Sequence, residues 1–294
     1  MPRRALGAGF LTIVFWSSAF VGIRVGLGAF SAEHLVLLRF LTASLVLLGG
    51  VVVSRGRLLP PRQVWWRVGL SGLTGFTVYH TALTLGERTV APSTASFIIA
   101  AAPLFSTILS RTFLHEQVTR WGWAGMLLSF AGVAVLSGQG YGFHWDALLI
   151  LVSAISTAVF FLLEKPLLSD YRALDVTAWV TWAGTIPMFA FSGGFVQALV
   201  HAPTYPLLMV LYIGVFPAAV AYVTWSVALA GATMAQVTPL LYLNPVLASL
   251  LGWIVLGERP GWVLAFGGAM ILLGVWAIQV KGQKPLVGLT KEAV

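Results

Sequence analysis

The sequence predicts an all-α integral membrane protein, with ten transmembrane helices arranged as two inverted five-helix repeats around a central cavity. Three observations carry that expectation. Of 294 residues, 59% are apolar and only 9% charged, whereas soluble domains carry about a quarter charged residues. The apolar residues form runs long enough to cross a bilayer, and an internal offset of 142 residues brings the two halves into register. This composition excludes a soluble enzyme, a secreted disulfide scaffold and a disordered tail. The absence of cysteine removes disulfides, thiolate metal sites and thiol catalysis.

A crossing helix needs roughly 20 apolar residues. The candidate spans are 6–28, 35–53, 65–85, 93–113, 121–136, 147–163, 176–200, 207–229, 235–256 and 262–280. Each should be helical, because lipid offers no water to an open backbone. The first run follows Met1–Arg4 as a signal peptide would. It is too long for that role, lacks a small-residue cleavage site and is followed by nine more runs, so it reads as a retained first helix.

The net charge of +8 is scattered between apolar runs rather than gathered into a nucleic-acid-binding stripe. It fits topology instead, since cytoplasmic loops collect Lys and Arg. With a cytoplasmic N-terminus, that side holds Arg3, Arg4, Arg55, Arg57, Arg62, Arg67, Arg111, Arg120, Lys165, Arg172, Lys281, Lys284 and Lys291, which is 13 of the 17 basic residues. The exterior keeps Arg88 and Arg259, while Arg24 and Arg39 fall inside spans. Both termini are therefore expected in the cytoplasm, with 281–294 as a cytoplasmic tail.

The 142-residue offset carries Pro103 onto Pro245, Leu114 onto Leu256, Glu116 onto Glu258, Gly125 onto Gly267, Gly132 onto Gly274 and Val133 onto Val275. The repeats are expected over 1–138 and 139–280. Five spans each is an odd number, so the second copy enters the membrane inverted, as in secondary transporters whose site lies between the halves. In span four, Ser93, Ser96, Ala100, Pro103, Thr107 and Ser110 recur at steps of three and four, placing them on one helix face. Their counterparts in span nine are Ala235, Thr238, Tyr242, Pro245, Ser249 and Gly252. At 1.5 Å per residue the prolines lie roughly 15 Å from their helix starts, near the bilayer centre. They are expected to kink both helices as gating hinges, with Asn244 adding an amide at the same depth. The faces Gly125/Ser129/Gly132 and Gly267/Ile271/Gly274 suit close packing.

The chain resembles the EamA-type transporters of the drug/metabolite transporter superfamily over essentially its whole length. The resemblance rests on Phe15-Trp16-Ser17-Ser18-Ala19-Phe20, Leu38-Arg39-Phe40, Leu114-His115-Glu116 and Leu256-Gly257-Glu258-Arg259-Pro260. It implies a basket of inverted repeats and export of small metabolites across the inner membrane. Tyr79-His80 and the deep aromatic residues are similar to the aromatic amino acid exporter branch typified by YddG.

Trp65, Trp66, Trp121, Trp123, Trp145 and Trp262 fall at span ends, where Trp anchors to the interface. The aromatics at depth are Trp16, Tyr79, Phe97, Phe160, Tyr222, Trp225 and Tyr242, which offer apolar walls with a hydroxyl or indole N–H for orientation. His80 lies at similar depth as a substrate contact or hydrogen-bonded interior residue. Arg24, Arg39 and Lys165 are candidate charge contacts, because ionisable groups inside spans are costly. Arg39 is equally a structural pin on backbone carbonyls, and the pair Glu164-Lys165 closes span six as a gate or a local salt bridge. No cofactor, metal or catalytic constellation is expected, since the five His are dispersed and no nucleotide-binding loop is present. The expected partners are a small-molecule substrate and the bilayer, with a monomeric state and no nucleic acid. The expected cargo is an amino acid, aromatic or otherwise apolar; the alternative is a lipophilic cation, drug or other small metabolite.

Overall fold

Long apolar runs fold as helices because a helix satisfies its own backbone groups without water. A computed structural model describes residues 1–86, 98–137, 146–244, 246–247, 250 and 262–282; within them the side chains of Phe20, Val21, Arg24, Leu136, Ser137, Asp146 and residues 263–265 lie outside the description. The helices are α1 (Arg3–Gly26), α2 (Ala32–Val53), α3 (Trp65–Gly72), α4 (Tyr79–Gly86), α5 (Ala102–Phe113), α6 (Arg120–Ser137) and α7 (Asp146–Asp170), followed by α8 (Ala173–Thr185), α9 (Phe195–Val200), α10 (Thr204–Val215), α11 (Ala221–Gly231), α12 (Met234–Val237) and α13 (Trp262–Lys281). No strand occurs among the described residues. Among the described residues, three stretches are long and apolar enough to cross a membrane: Ala32–Val53, Ala147–Asp170 and Thr204–Gly231, with mean hydropathies of 2.3, 2.3 and 2.1.

Several runs read as single helices are interrupted, each for a backbone reason. A π-helical turn, Leu73–Val78, joins α3 to α4, and a second, Phe216–Val220, joins α10 to α11. The second contains Pro217, which has no N–H to give the ladder and whose carbonyl accepts the Trp16 indole N–H at 3.0 Å. The run 176–200 breaks after Thr185 into a 3₁₀ segment, Ile186–Phe191, with Pro187 in its first turn. Gly194, at φ 74°, then starts α9 in a backbone conformation that favours glycine. Conversely, α7 runs past Leu163 through Pro166 to Asp170. Pro103 does not kink a helix interior: the backbone turns at Ala100–Ala101, and Pro103 occupies the first turn of α5, where a missing N–H costs nothing. Pro245 lies outside the described residues.

Glycines set the closest helix approaches. A Cβ at Gly125 would lie 2.6 Å from the Gly274 carbonyl oxygen, and one at Gly132 would lie 2.7 Å from that of Gly267. These contacts, with Ser129 Oγ donating to the Ile271 carbonyl at 3.3 Å, hold α6 against α13. Gly72 meets Gly184 between α3 and α8, and Gly214 meets Thr42 between α10 and α2. Helix α1 packs on α10 and α11, and α4 packs on α7. Ala5 abuts Gly231, and Thr119 Oγ1 donates to the Lys281 carbonyl at 2.8 Å, so α1 begins and α13 ends at the same end of the bundle.

Candidate functional site

A cavity of about 240 Å³ lies between α1, α2, α4, α7 and α11. Its walls reach Leu27 and Ala32 at the α1–α2 turn and Leu83 and Thr84 near the end of α4, so it opens at the end opposite the termini. Trp16, Phe160, Phe161 and Tyr222 close its depth. The Trp16 and Tyr222 rings meet edge-on with centroids 5.3 Å apart, and Phe76 lies 4.7 Å from Tyr222 on the other side.

The first π turn shapes this floor. Gly75, within it, faces the Phe160 ring so closely that a Cβ would fall 2.4 Å from Phe160 Cγ. Directly after the turn come Tyr79 and His80, whose rings meet edge-on at 4.6 Å. His80 Nε2 is 3.3 Å from the Tyr222 hydroxyl, bridging α4 and α11 across the bundle. Asn244 also lines the cavity, with Oδ1 accepting from Ser17 Oγ at 3.1 Å.

Arg39 lines the same cavity and is only 6% exposed. Its guanidinium lies 5.4 Å from the neighbouring Phe40 ring centroid, but makes no hydrogen bond or ion pair among the described residues, and its Nε is buried without a partner. The structural-pin alternative, in which Arg39 bonds backbone carbonyls, is absent from these contacts. No Asp or Glu lines the cavity among the described residues. A planar cation with its donors uncommitted is chemically suited to a carboxylate, which it can grip through two parallel bonds.

Lys165 is the opposite case. Its ammonium donates to the carbonyls of Leu229 and Ala232, where α11 ends, tying α7 to α11 at the terminus end and leaving the cavity untouched. Close by, Glu116 accepts the Met234 and Ala235 N–H groups at 2.9 and 3.0 Å, capping α12. The terminus end is thus closed by polar contacts.

The structure therefore brings Trp16, Arg39, Tyr79, His80, Phe160, Tyr222 and Asn244 to one cavity. Trp225 and Tyr242 are fully buried and do not line it. Trp225 packs behind the floor, 5.2 Å from Trp16 and 4.7 Å from Phe161. Of the span-four stripe, Ala100 reaches the cavity, whereas Thr107 Oγ1 contacts Met126 Sδ at 3.2 Å and so packs on α6. Phe97 lies outside the described residues, as does the Arg24 side chain. Sequence reasoning missed Gly75, Phe161 and Thr157 in the lining; a glycine four residues before Tyr79 was the available signal for the first. Among the described residues, no group of three His, Asp or Glu is assembled for a metal.

Helices of membrane-crossing length enclosing an amphipathic cavity define the class as a multi-pass membrane transporter. The chain belongs to the EamA-like transporter family, whose model matches residues 3–138 and again residues 144–280. It is a transporter and not an enzyme. It is 34% identical over 282 residues to the uncharacterized transporter YdfC of Bacillus subtilis (strain 168), covering 93% of this chain and 90% of the relative. It is 35% identical over 282 residues to a Streptantibioticus cattleyicolor protein named a probable terminal-alkyne amino-acid exporter, covering 94% and 93%. A crystal structure among those that match has a TM-score of 0.79 over 94% of this chain and 96% of that one; at 23% identity it shows the shared fold.

Proposed function

We propose that this chain is a secondary transporter that exports amino acids, with aromatic and other apolar side chains favoured, by alternating access across the inner membrane. The observation that carries this reading is Arg39: a buried guanidinium without a hydrogen bond or ion pair among the described residues, facing a cavity walled by Trp16, Phe160 and Tyr222. An amino acid supplies both complements, a carboxylate for the fork and an apolar side chain for the walls. The cavity volume of about 240 Å³ lies below the roughly 300–1,000 Å³ typical of drug-sized sites. The relative named as an amino-acid exporter supports the same class. Lipophilic cations would suit the aromatic walls but not a site whose one free charge is positive among the described residues.

Ten spans in two inverted repeats, 1–138 and 139–280, with both termini cytoplasmic, complete the proposal. The double match of the family model supports the duplication, and so does the packing. The 142-residue offset carries Gly72 onto Gly214 and Thr42 onto Gly184, exchanging one close glycine approach for the other. It exchanges Gly125/Gly274 with Gly267/Gly132 in the same way, and nearly superposes the two π turns. His80 and Tyr222, themselves one offset apart, meet each other, as partners on a two-fold axis do.

The test is counterflow in proteoliposomes loaded with unlabelled phenylalanine. Labelled phenylalanine should accumulate, and zwitterionic leucine should compete better than tetraphenylphosphonium. Accumulation no greater than in empty vesicles, or competition by the cation alone, overturns the amino acid reading.

A further inference from the structure

Glu164 lies one helical turn beyond Phe160 of the cavity floor, toward the terminus end, and is buried at 1% exposure. It does not pair with Lys165, whose ammonium is turned to the Leu229 and Ala232 carbonyls. Its Oε1 lies 2.6 Å from Ser226 Oγ on α11, and Ser226 Oγ lies 2.7 Å from Thr177 Oγ1 on α8. Thr177 Oγ1 donates in turn to the Ala173 carbonyl at 2.8 Å. Its Oε2 has no partner among the described residues.

The protons in this chain can be counted. Ser226 Oγ also lies 2.9 Å from the Tyr222 carbonyl on its own helix. With a neutral acid, Glu164 donates to Ser226, Ser226 to Thr177 or to that carbonyl, and Thr177 to Ala173, so three of the four contacts hold a hydrogen. The oxygen left over is then an uncharged carbonyl. With a carboxylate, Ser226 must give its hydrogen to Glu164, two hydrogens serve the four contacts, and an ionised group is left inside the bundle with a single hydroxyl donor and a bare second oxygen. Burying a charge so poorly solvated costs far more than burying the neutral acid.

We infer that Glu164 is a proton-binding site whose occupancy is tied to closure of the terminus end. Closing that end strips water from the carboxylate, which takes up one proton from the terminus-side solution and joins the Ser226–Thr177 chain. Opening separates α7 from α11, rehydrates the group and returns the proton to the same side. The site therefore sets a pH-dependent bias between the two states and does not carry a proton across. One proton per closure shifts the open-to-closed ratio by up to tenfold per pH unit, with acid favouring the closed terminus end.

Other charged or titratable groups accompany Glu164. Lys165 shares its helix, Tyr222 projects from α11, Asp175 starts α8, Tyr79 and His80 lie on α4, and Arg67 and Arg111 lie on α3 and α5. Glu116 caps α12 from the preceding loop. The test must separate Glu164 from these.

The inference rests on alternating access but not on the cargo. The chain has no cysteine, so Ser169→Cys on α7 and Ala230→Cys on α11 can be spin-labelled without background, at two exposed positions. In lipid nanodiscs, the fraction with the short distance should rise as pH falls from about 8 to about 5. Glu164→Gln, which keeps the shape and remains neutral, should hold the short distance at every pH, while His80→Gln should leave the pH dependence in place. Ser226→Ala should move the midpoint by half a pH unit or more. Distances that respond to substrate but not to pH, or a Glu164→Gln protein that titrates like the parent, overturn the proton site alone. Distances that respond to neither overturn alternating access itself.

Discussion

Replacing Arg39 with Gln separates recognition of a carboxylate from support of the fold. A bidentate grip comprises two charge-assisted hydrogen bonds, and one such bond is worth roughly 1.5–3 kcal/mol. Gln returns one neutral hydrogen bond of about 1 kcal/mol, so the net loss is about 2–5 kcal/mol, or at least about a thirtyfold weaker affinity at 1.4 kcal/mol per decade. Arg39→Lys keeps the charge without the fork and should fall between the two proteins. Stability should move the other way. Arg39 makes no hydrogen bond or ion pair among the described residues and is 6% exposed, so removing its charge from the interior should leave the Tm unchanged or raise it. Phenylalanine binding by tryptophan fluorescence, paired with thermal unfolding in the same detergent, reads both. An Arg39→Gln affinity within threefold of the parent refutes the carboxylate role. A large drop in Tm shows that the guanidinium serves the fold.

Tyr222→Phe keeps the ring against Trp16 and Phe76 but removes the hydroxyl facing His80. At about 1 kcal/mol for a neutral hydrogen bond, the apparent KM should change by severalfold or less, whereas Tyr222→Ala should abolish transport. Gly75→Ala places a methyl 2.4 Å from Phe160 Cγ, so the ring must move into the cavity and transport should fall while the protein stays folded by thermal unfolding. Gly125→Val drives a side chain into the Gly274 carbonyl and should cost about 1–3 kcal/mol of stability, read as a lower Tm in detergent.

The apolar runs were legible because lipid demands a near-continuous stretch of apolar residues, and the glycine faces of α6 and α13 because small residues at helical spacing permit close approach. The π turns were not legible. A hydrophobic run has the same composition whether the backbone closes at 3.6 residues or wider, and only Gly75 and Pro217 hinted at the change. Periodicity also blurred neighbours on one face. Tyr222 and Trp225 are three residues apart, yet Tyr222 enters the cavity while Trp225 is turned behind Phe161. The depth of Glu164 was misjudged for another reason: the apolar run ends at Leu163, but the helix continues to Asp170. Whether a buried cation is committed or free depends on carbonyls far away in sequence. Leu229 and Ala232 take up Lys165, and Arg39 has no such partner among the described residues.

The two ends of the bundle differ in a way that the proposed inverted duplication makes predictive. At the terminus end, α7 and α11 are tied together by Lys165. The 142-residue offset equates α11 with α4, and α7 with α1, and at the opposite end α1 and α4 both line the open cavity through Ile23, Leu27, Leu83 and Thr84. If the halves exchange conformations, α1 must close on α4 as α7 parts from α11. Spin labels at Leu27→Cys and Thr84→Cys should then approach one another under conditions that lengthen the Ser169→Cys to Ala230→Cys distance. The anticorrelation should hold whether the shift is driven by pH or by phenylalanine, because it belongs to the fold and not to the ligand. Two distances that lengthen together would instead describe a pore opening at both ends.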